Sequence, residues 1–190
     1  MGLFDLFKKN AVEPASVKIE LDDDRIVING KTVDVPSHID ALTAVLGKPR
    51  AVVYPSDPAK DLKDWGGTLP KSLEQSLTSK RVNYSWDKLG VYCYTKNGSV
   101  VFCVGIRLNK GDICPKHFPS GFFKGEITIK GMPWIRALET LPDTADMEFF
   151  KQLELGGYSV NIEYVDFTAK ASARTEKDYT TIEIQLQSKN

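Results

Sequence analysis

Cys114 stands two residues after Asp112 and three before His117, and it is the only candidate nucleophile in this 190-residue chain with a base close by in sequence. In such an arrangement the imidazole takes the thiol proton, and a cation or dipole must then hold the thiolate charge. A C-x-x-H spacing on a loop that also carries Pro115 guarantees neither contact. Cys114 and His117 therefore define an alternative, a small thiol-dependent enzyme, rather than a first reading. Adding Cys93 and Cys103 gives a set of zinc-ligand types, but there is no C-x-x-C pair, and a hairpin register sends those two cysteines to opposite faces. No metal and no cofactor is expected.

Other chemistries leave no trace. Gly66-Gly67 and Gly156-Gly157 lack the lysine of a phosphate loop and the spacing of a dinucleotide fingerprint, and neither G-x-S-x-G nor H-E-x-x-H occurs. Paired carboxylates for glycosidic chemistry cannot be picked out of 25 Asp and Glu by sequence spacing. Asp22-Asp23-Asp24 lacks the dozen-residue spacing and terminal Glu of a calcium loop, so it reads as a hairpin tip.

A different constellation is made of rings. Tyr84, Trp86, Tyr92 and Tyr94 crowd one β-rich region, with Asp87 among them, Trp65 upstream and Phe122-Phe123 downstream. These are the residue types that anchor protein interfaces. Trp65, Tyr84, Trp86, Asp87, Tyr92 and Tyr94 are the candidate partner-binding residues. The competing reading is that the rings fill a sheet face covered by helices.

The element that must position them runs from Tyr84 to Leu108, two β-rich runs joined at Asn97-Gly98, a strong hairpin signal. A two-residue loop places Tyr94 opposite Val101 and Tyr92 opposite Cys103, with Val91, Cys93, Phe102 and Val104 on the other face. Around this hairpin, Val17 to Leu21, Arg25 to Ile28 and Lys31 to Val35 read as a meander. Ser37 reads as the N-cap of a helix with His38 first inside it, Asp40 at its positive end and Ile39, Leu42, Val45 and Leu46 as its apolar stripe; Gly47 and Pro49 end it. Arg50 to Tyr54 is a strand, and 55–81 is a long irregular stretch suited to binding. Glu126 to Lys130 is a strand, Pro142-Asp143 opens a helix with Met147, Phe150 and Leu153 on one side, and Tyr158 to Ala169 and Tyr179 to Gln187 alternate as strands.

The expected fold is α+β, a mainly antiparallel sheet with two or three helices on it. An echo of Ile26 to Gly30 in Ile127 to Gly131, each followed by a Pro-preceded helix, suggests a pseudo-repeated strand-turn-helix unit. Residues 1–16 form an amphipathic segment (Leu3, Phe4, Leu6, Phe7, Lys8, Lys9) and a linker, and 17–190 a single domain, with lobes at 17–80 and 81–190 as the finer division.

Composition narrows the partners. Lys plus Arg balance Asp plus Glu at 25 each, which removes the basic field of a general nucleic-acid binder. No apolar run is long enough for a transmembrane span, and the N-terminus lacks an export signal, so a cytoplasmic protein with reduced thiols is expected.

The words I-x-I-N-G, a helix ending L-G-K-P-R, and W-D-x-L-G-V-Y-C-Y-x-K-N-G resemble small uncharacterised bacterial proteins of toxin-immunity type, over residues 25–135. The resemblance implies a cytoplasmic protein that binds and neutralises a cognate toxin acting in the cytosol. If that toxin is basic, Asp57, Asp61, Asp64 and Asp87 would supply the complementary charge. The third alternative is an adaptor or structural subunit docking through its N-terminal segment.

Overall fold

The structure, a computed structural model, describes residues 14–53, 82–96, 98–109, 118–141, 150–164 and 179–186. The N-terminal amphipathic segment, Trp65, Asp57, Asp61, Asp64, Cys114 and His117 lie outside the described residues.

Strand β1 (Val17–Leu21) buries Val17, Ile19 and Leu21 and turns Lys18 outward, the period-two pattern of a half-buried strand. It pairs antiparallel with β2 (Ile26–Ile28), which pairs with β3 (Lys31–Val33). The turn between β2 and β3 places Asn29 at φ 51° and Gly30 at φ 75°, the left-handed pair that a two-residue hairpin loop requires. The other side of β1 pairs in parallel with β9 (Gly125–Ile129), and β9 carries the two-residue β10 (Met132–Pro133). These strands form one sheet in the order β10-β9-β1-β2-β3.

The second sheet runs β11-β12-β13-β8-β7-β6-β5, with β4 (Ser37–His38) pairing separately onto β8. Its members are β5 (Arg50–Val53), β6 (Val82–Trp86), β7 (Val91–Lys96), β8 (Val100–Arg107), β11 (Phe150–Leu155), β12 (Tyr158–Tyr164) and β13 (Tyr179–Leu186). Apart from β1 with β9, every strand pairing among the described residues is antiparallel. With helices α1 (Ile39–Leu46) and α2 (Trp134–Thr140), the architecture is the expected α+β. Both sheets and both helices feed one apolar cluster that includes Ile19, Ile28, Leu42, Leu46, Val104, Ile106, Trp134 and Ile184.

The central hairpin is shifted from its expected register. Lys96 pairs with Val100, so the loop holds three residues, and a bulge between Tyr94 and Thr95 adds one more, bringing Tyr94 opposite Cys103 and Tyr92 opposite Gly105. The two offsets sum to two, so face parity is restored. Tyr92 and Tyr94 still share a face, and Cys93 and Cys103 still point apart. Phe102 is the exception: at the bulge it turns to the tyrosine side, its ring stacked 6.2 Å from Tyr94.

Two helix readings are corrected. The N-cap of α1 is His38, whose Nδ1 accepts from the Asp40 N–H at 3.3 Å, while Ser37 belongs to β4. The chain from Phe150 to Leu155 is strand, since Leu153 and Leu155 alternate inward and Gly156-Gly157 turns it into β12. The second helix lies earlier, opening after Pro133 at Trp134; residues 142–149 lie outside the described residues.

Candidate interaction surface

The eight-stranded sheet has two unlike faces. Tyr84, Trp86, Val91, Cys93, Val104, Ile106, Ile182 and Ile184 are in register on the face that meets the apolar core. Asn83, Ser85, Tyr92, Tyr94, Cys103, Gly105, Arg107, Thr181, Glu183 and Gln185 share the opposite, polar face.

The candidate partner-binding rings divide between these faces. Trp86 is 1% exposed, and its Nε1–H donates to the Gly47 carbonyl at 2.7 Å, tying the central hairpin to the end of α1. Tyr84 is half-buried, its hydroxyl donating to the Gly98 carbonyl at 2.7 Å. Tyr92 has no exposed surface: it lies across Gly105, edge-on to Tyr94 and Phe118, and its hydroxyl donates to Glu183 Oε1 at 2.9 Å. Burial, then the Glu183 charge, pushes its phenol well above the ordinary range. Trp86 and Tyr92 are thus enclosed groups that shape the surface from beneath it. Tyr94, with Phe102 stacked on it, remains half-exposed.

Asp87 is held by several donors. Arg50 grips it with both arms, Nε to Oδ2 at 2.6 Å and Nη2 to Oδ1 at 2.8 Å, while the Ser85 hydroxyl and the Ser120 N–H also donate to Oδ1, at 3.1 and 3.0 Å. The Arg50 guanidinium, helped by these two donors against the cost of burial, holds the carboxyl below its usual range. Arg50 Nη2 also reaches the Phe118 carbonyl at 3.2 Å. The Gly121 N–H donates to the Asp87 carbonyl at 3.0 Å and the Phe123 N–H to the Arg107 carbonyl at 2.7 Å. The result is a clasp: the β6-β7 turn and the 118–124 segment are bonded together along their length.

The clasp displays a ring. Arg107, 7% exposed, donates from Nη1 to the Pro119 carbonyl and lies 4.9 Å from the centroid of Phe122. Phe122 itself is 42% exposed, one of two exposed large hydrophobic residues among those described. The next residue, Phe123, helps line a cleft of about 350 Å³ with Leu108, Asn109, Gly125 to Thr128, Pro133 and Trp134. Of these groups only the Phe122-Phe123 pair drew attention in the sequence. The Arg50–Asp87 contact spans 37 residues and the cleft joins segments from both sheets, so no local pattern announces either.

The two described thiols are poor nucleophiles. Burial pushes Cys93 up to about 12, and burial with the Glu183 charge pushes Cys103 well above the ordinary thiol range.

A family model described as a domain of unknown function (DUF7738) matches residues 18–140. None of the curated proteins and none of the solved structures compared with the chain matches it.

Proposed function

We propose, for a chain that belongs to the DUF7738 family, a role as a non-enzymatic protein-binding module whose contact surface centres on Phe122. The observation that carries this reading is the exposure of that ring on a segment already fixed by its bonds to Asp87, Arg50 and Arg107. An interface residue held in place before binding loses little conformational freedom on binding, and aromatic anchors next to buried arginine are the groups that dominate interface energetics. Tyr94 and Phe102 add a half-exposed aromatic pair on the eight-stranded sheet. Asp87 serves by holding the clasp, with its carboxylate already committed to Arg50 and Ser120.

The finer reading is an immunity protein that neutralises a cognate toxin in the cytosol by binding it, and its support is the resemblance over residues 25–135. The thiol-enzyme alternative rests on Cys114 and His117, which lie outside the described residues.

The test is a photo-crosslinking amino acid placed at position 122 and, separately, at Val100, in the full chain expressed in its own cells. One discrete, stoichiometric adduct from position 122, suppressed by wild-type competitor and requiring at least about tenfold more Phe122→Ala competitor for the same suppression, is the expected result, since an anchor ring contributes about 2 kcal/mol or more. No adduct, or competition indifferent to Phe122, rules the surface out.

A further inference from the structure

The five-stranded sheet has an unfinished edge, and it opens into the cleft. β10 covers β9 only where Met132 faces Ile129 and Pro133 faces Thr128; the chain then enters α2 at Trp134. Val17 N–H donates to the Lys124 carbonyl at 2.9 Å and Lys130 N–H to the Leu21 carbonyl at 2.8 Å, which fixes the alternation of the parallel β1-β9 ladder. Glu126 and Thr128 spend their backbone groups on β1. The N–H of Ile127 and both backbone groups of Gly125 turn the other way, past the end of β10, and no strand among the described residues pairs there. The cleft lines up with this gap: Gly125 to Thr128 form one wall, and Leu108, Asn109, Phe123, Pro133 and Trp134 the rest.

We propose that this edge receives an extended segment of the partner protein, which adds to β9 as a strand; the proposal rests on the protein-binding reading above and supplies its mode. The shape specifies the occupant. A row of backbone groups at strand spacing is complementary to another extended backbone, whose main-chain bonds give affinity while pockets for alternate side chains give selectivity. The inward-pointing side chains of the added strand meet Trp134, Phe123 and Leu108, so they are apolar. Those on the outer face stand beside Glu126, whose partner across the β1-β9 ladder, Lys18, is bound to Glu20 at 2.6 Å. An opposite charge is favoured at such a cross-strand position, so the outward residues are basic. About 350 Å³ lies at the lower end of the range for occupied clefts and suits a few residues of strand.

The probe is acetyl-Lys-Val-Lys-Val-Lys-amide, titrated into the full ¹⁵N-labelled chain, with the same peptide N-methylated at its central residues and a Glu-for-Lys version as comparisons. Strand addition predicts saturable shifts and slowed hydrogen exchange at the Gly125 and Ile127 amides. It also predicts at least tenfold weaker binding of the N-methylated peptide, and a preference that turns toward the acidic peptide in Glu126→Lys. Absence of saturable binding up to about 1 mM, corresponding to about −4 kcal/mol, overturns the proposal, as does equal binding of the N-methylated peptide or a footprint elsewhere. The Phe122 crosslinking result is independent of this one: an adduct there with no peptide footprint at β9 removes the strand mode and leaves the binding role, whereas failure of both removes the role itself.

Discussion

Asp87 shows how one carboxylate can fasten separate segments of a surface together. Four donors from three segments converge on its two oxygens, so Asp87→Asn keeps the size while forfeiting the charge that Arg50 grips. Because the pair is partly exposed, we expect a loss of about 1–2 kcal/mol at neutral pH, less than a buried network would forfeit. The sign of the pH dependence follows from the direction of the shift. A carboxyl held below its usual range in the folded state stabilises above the unfolded value, near 3.9, and loses that contribution as pH falls through the lower folded value. Urea melts of wild type and Asp87→Asn should therefore converge between about pH 5 and pH 2; parallel curves would place the stabilisation elsewhere. The thiols make a simpler prediction. With Cys93 and Cys103 buried and their thiolates disfavoured, iodoacetamide at pH 7.5 should leave both unmodified in the native chain and label both in denaturant. Any rapid native labelling then reports Cys114 alone, which isolates the enzyme alternative for direct measurement.

Among the elements, the clasp depends on a glycine. At Gly90, with φ 68°, a Cβ would collide with the Phe123 nitrogen, so both the backbone conformation and the close approach demand glycine. Gly90→Ala should cost about 2–4 kcal/mol, combining left-handed strain with displaced packing, and should loosen the 118–124 segment, raising hydrogen exchange at Gly121 and Phe123 before the central strands open. Unchanged exchange there would mean the clasp is not a unit. The sequence discloses such elements unevenly. Alternation in Val17 to Leu21 and at Ile182 and Ile184 is legible because one face is buried. The turn at Asn29-Gly30 is legible because few other residue pairs adopt two left-handed conformations in succession. Ser37 was a plausible cap, yet pairing with Val101 drew it into a strand and passed the cap to His38. Leu153 fits a helical spacing with Phe150 and a strand alternation with Leu155, and pairing of Phe150 to Leu155 with Glu163 to Tyr158 decided for strand. The polar network around Tyr92 was illegible for another reason: Glu183 lies 91 residues away, and only the ordering of β13 beside β8 brings it near.

At the scale of the whole molecule, the family boundary and the structural boundary disagree. Residues 18–140 carry the five-stranded sheet, both helices, and β4 to β8 of the larger sheet, but they exclude β11, β12 and β13. In the structure β13 pairs with β8 along Cys103 to Arg107 and extends the core face with Ile182 and Ile184, both fully buried. Removing everything after residue 140 would bare the β8 edge and uncover the apolar face that β11 to β13 now complete through Leu153, Leu155, Val160 and Ile162. A long open edge beside exposed aliphatic surface invites pairing with other chains. Six such side chains represent about 10 kcal/mol or more of burial, comparable to the entire stability of a domain. A chain ending at residue 140 should accordingly bind a hydrophobic dye, aggregate, and lack the cooperative melt of the full chain, and supplying 141–190 in trans should restore part of that melt. If instead the truncated chain is monomeric and melts cooperatively near the wild-type temperature, the family-matched segment is a self-sufficient unit, and the last three strands are an addition to it rather than the completion of its core.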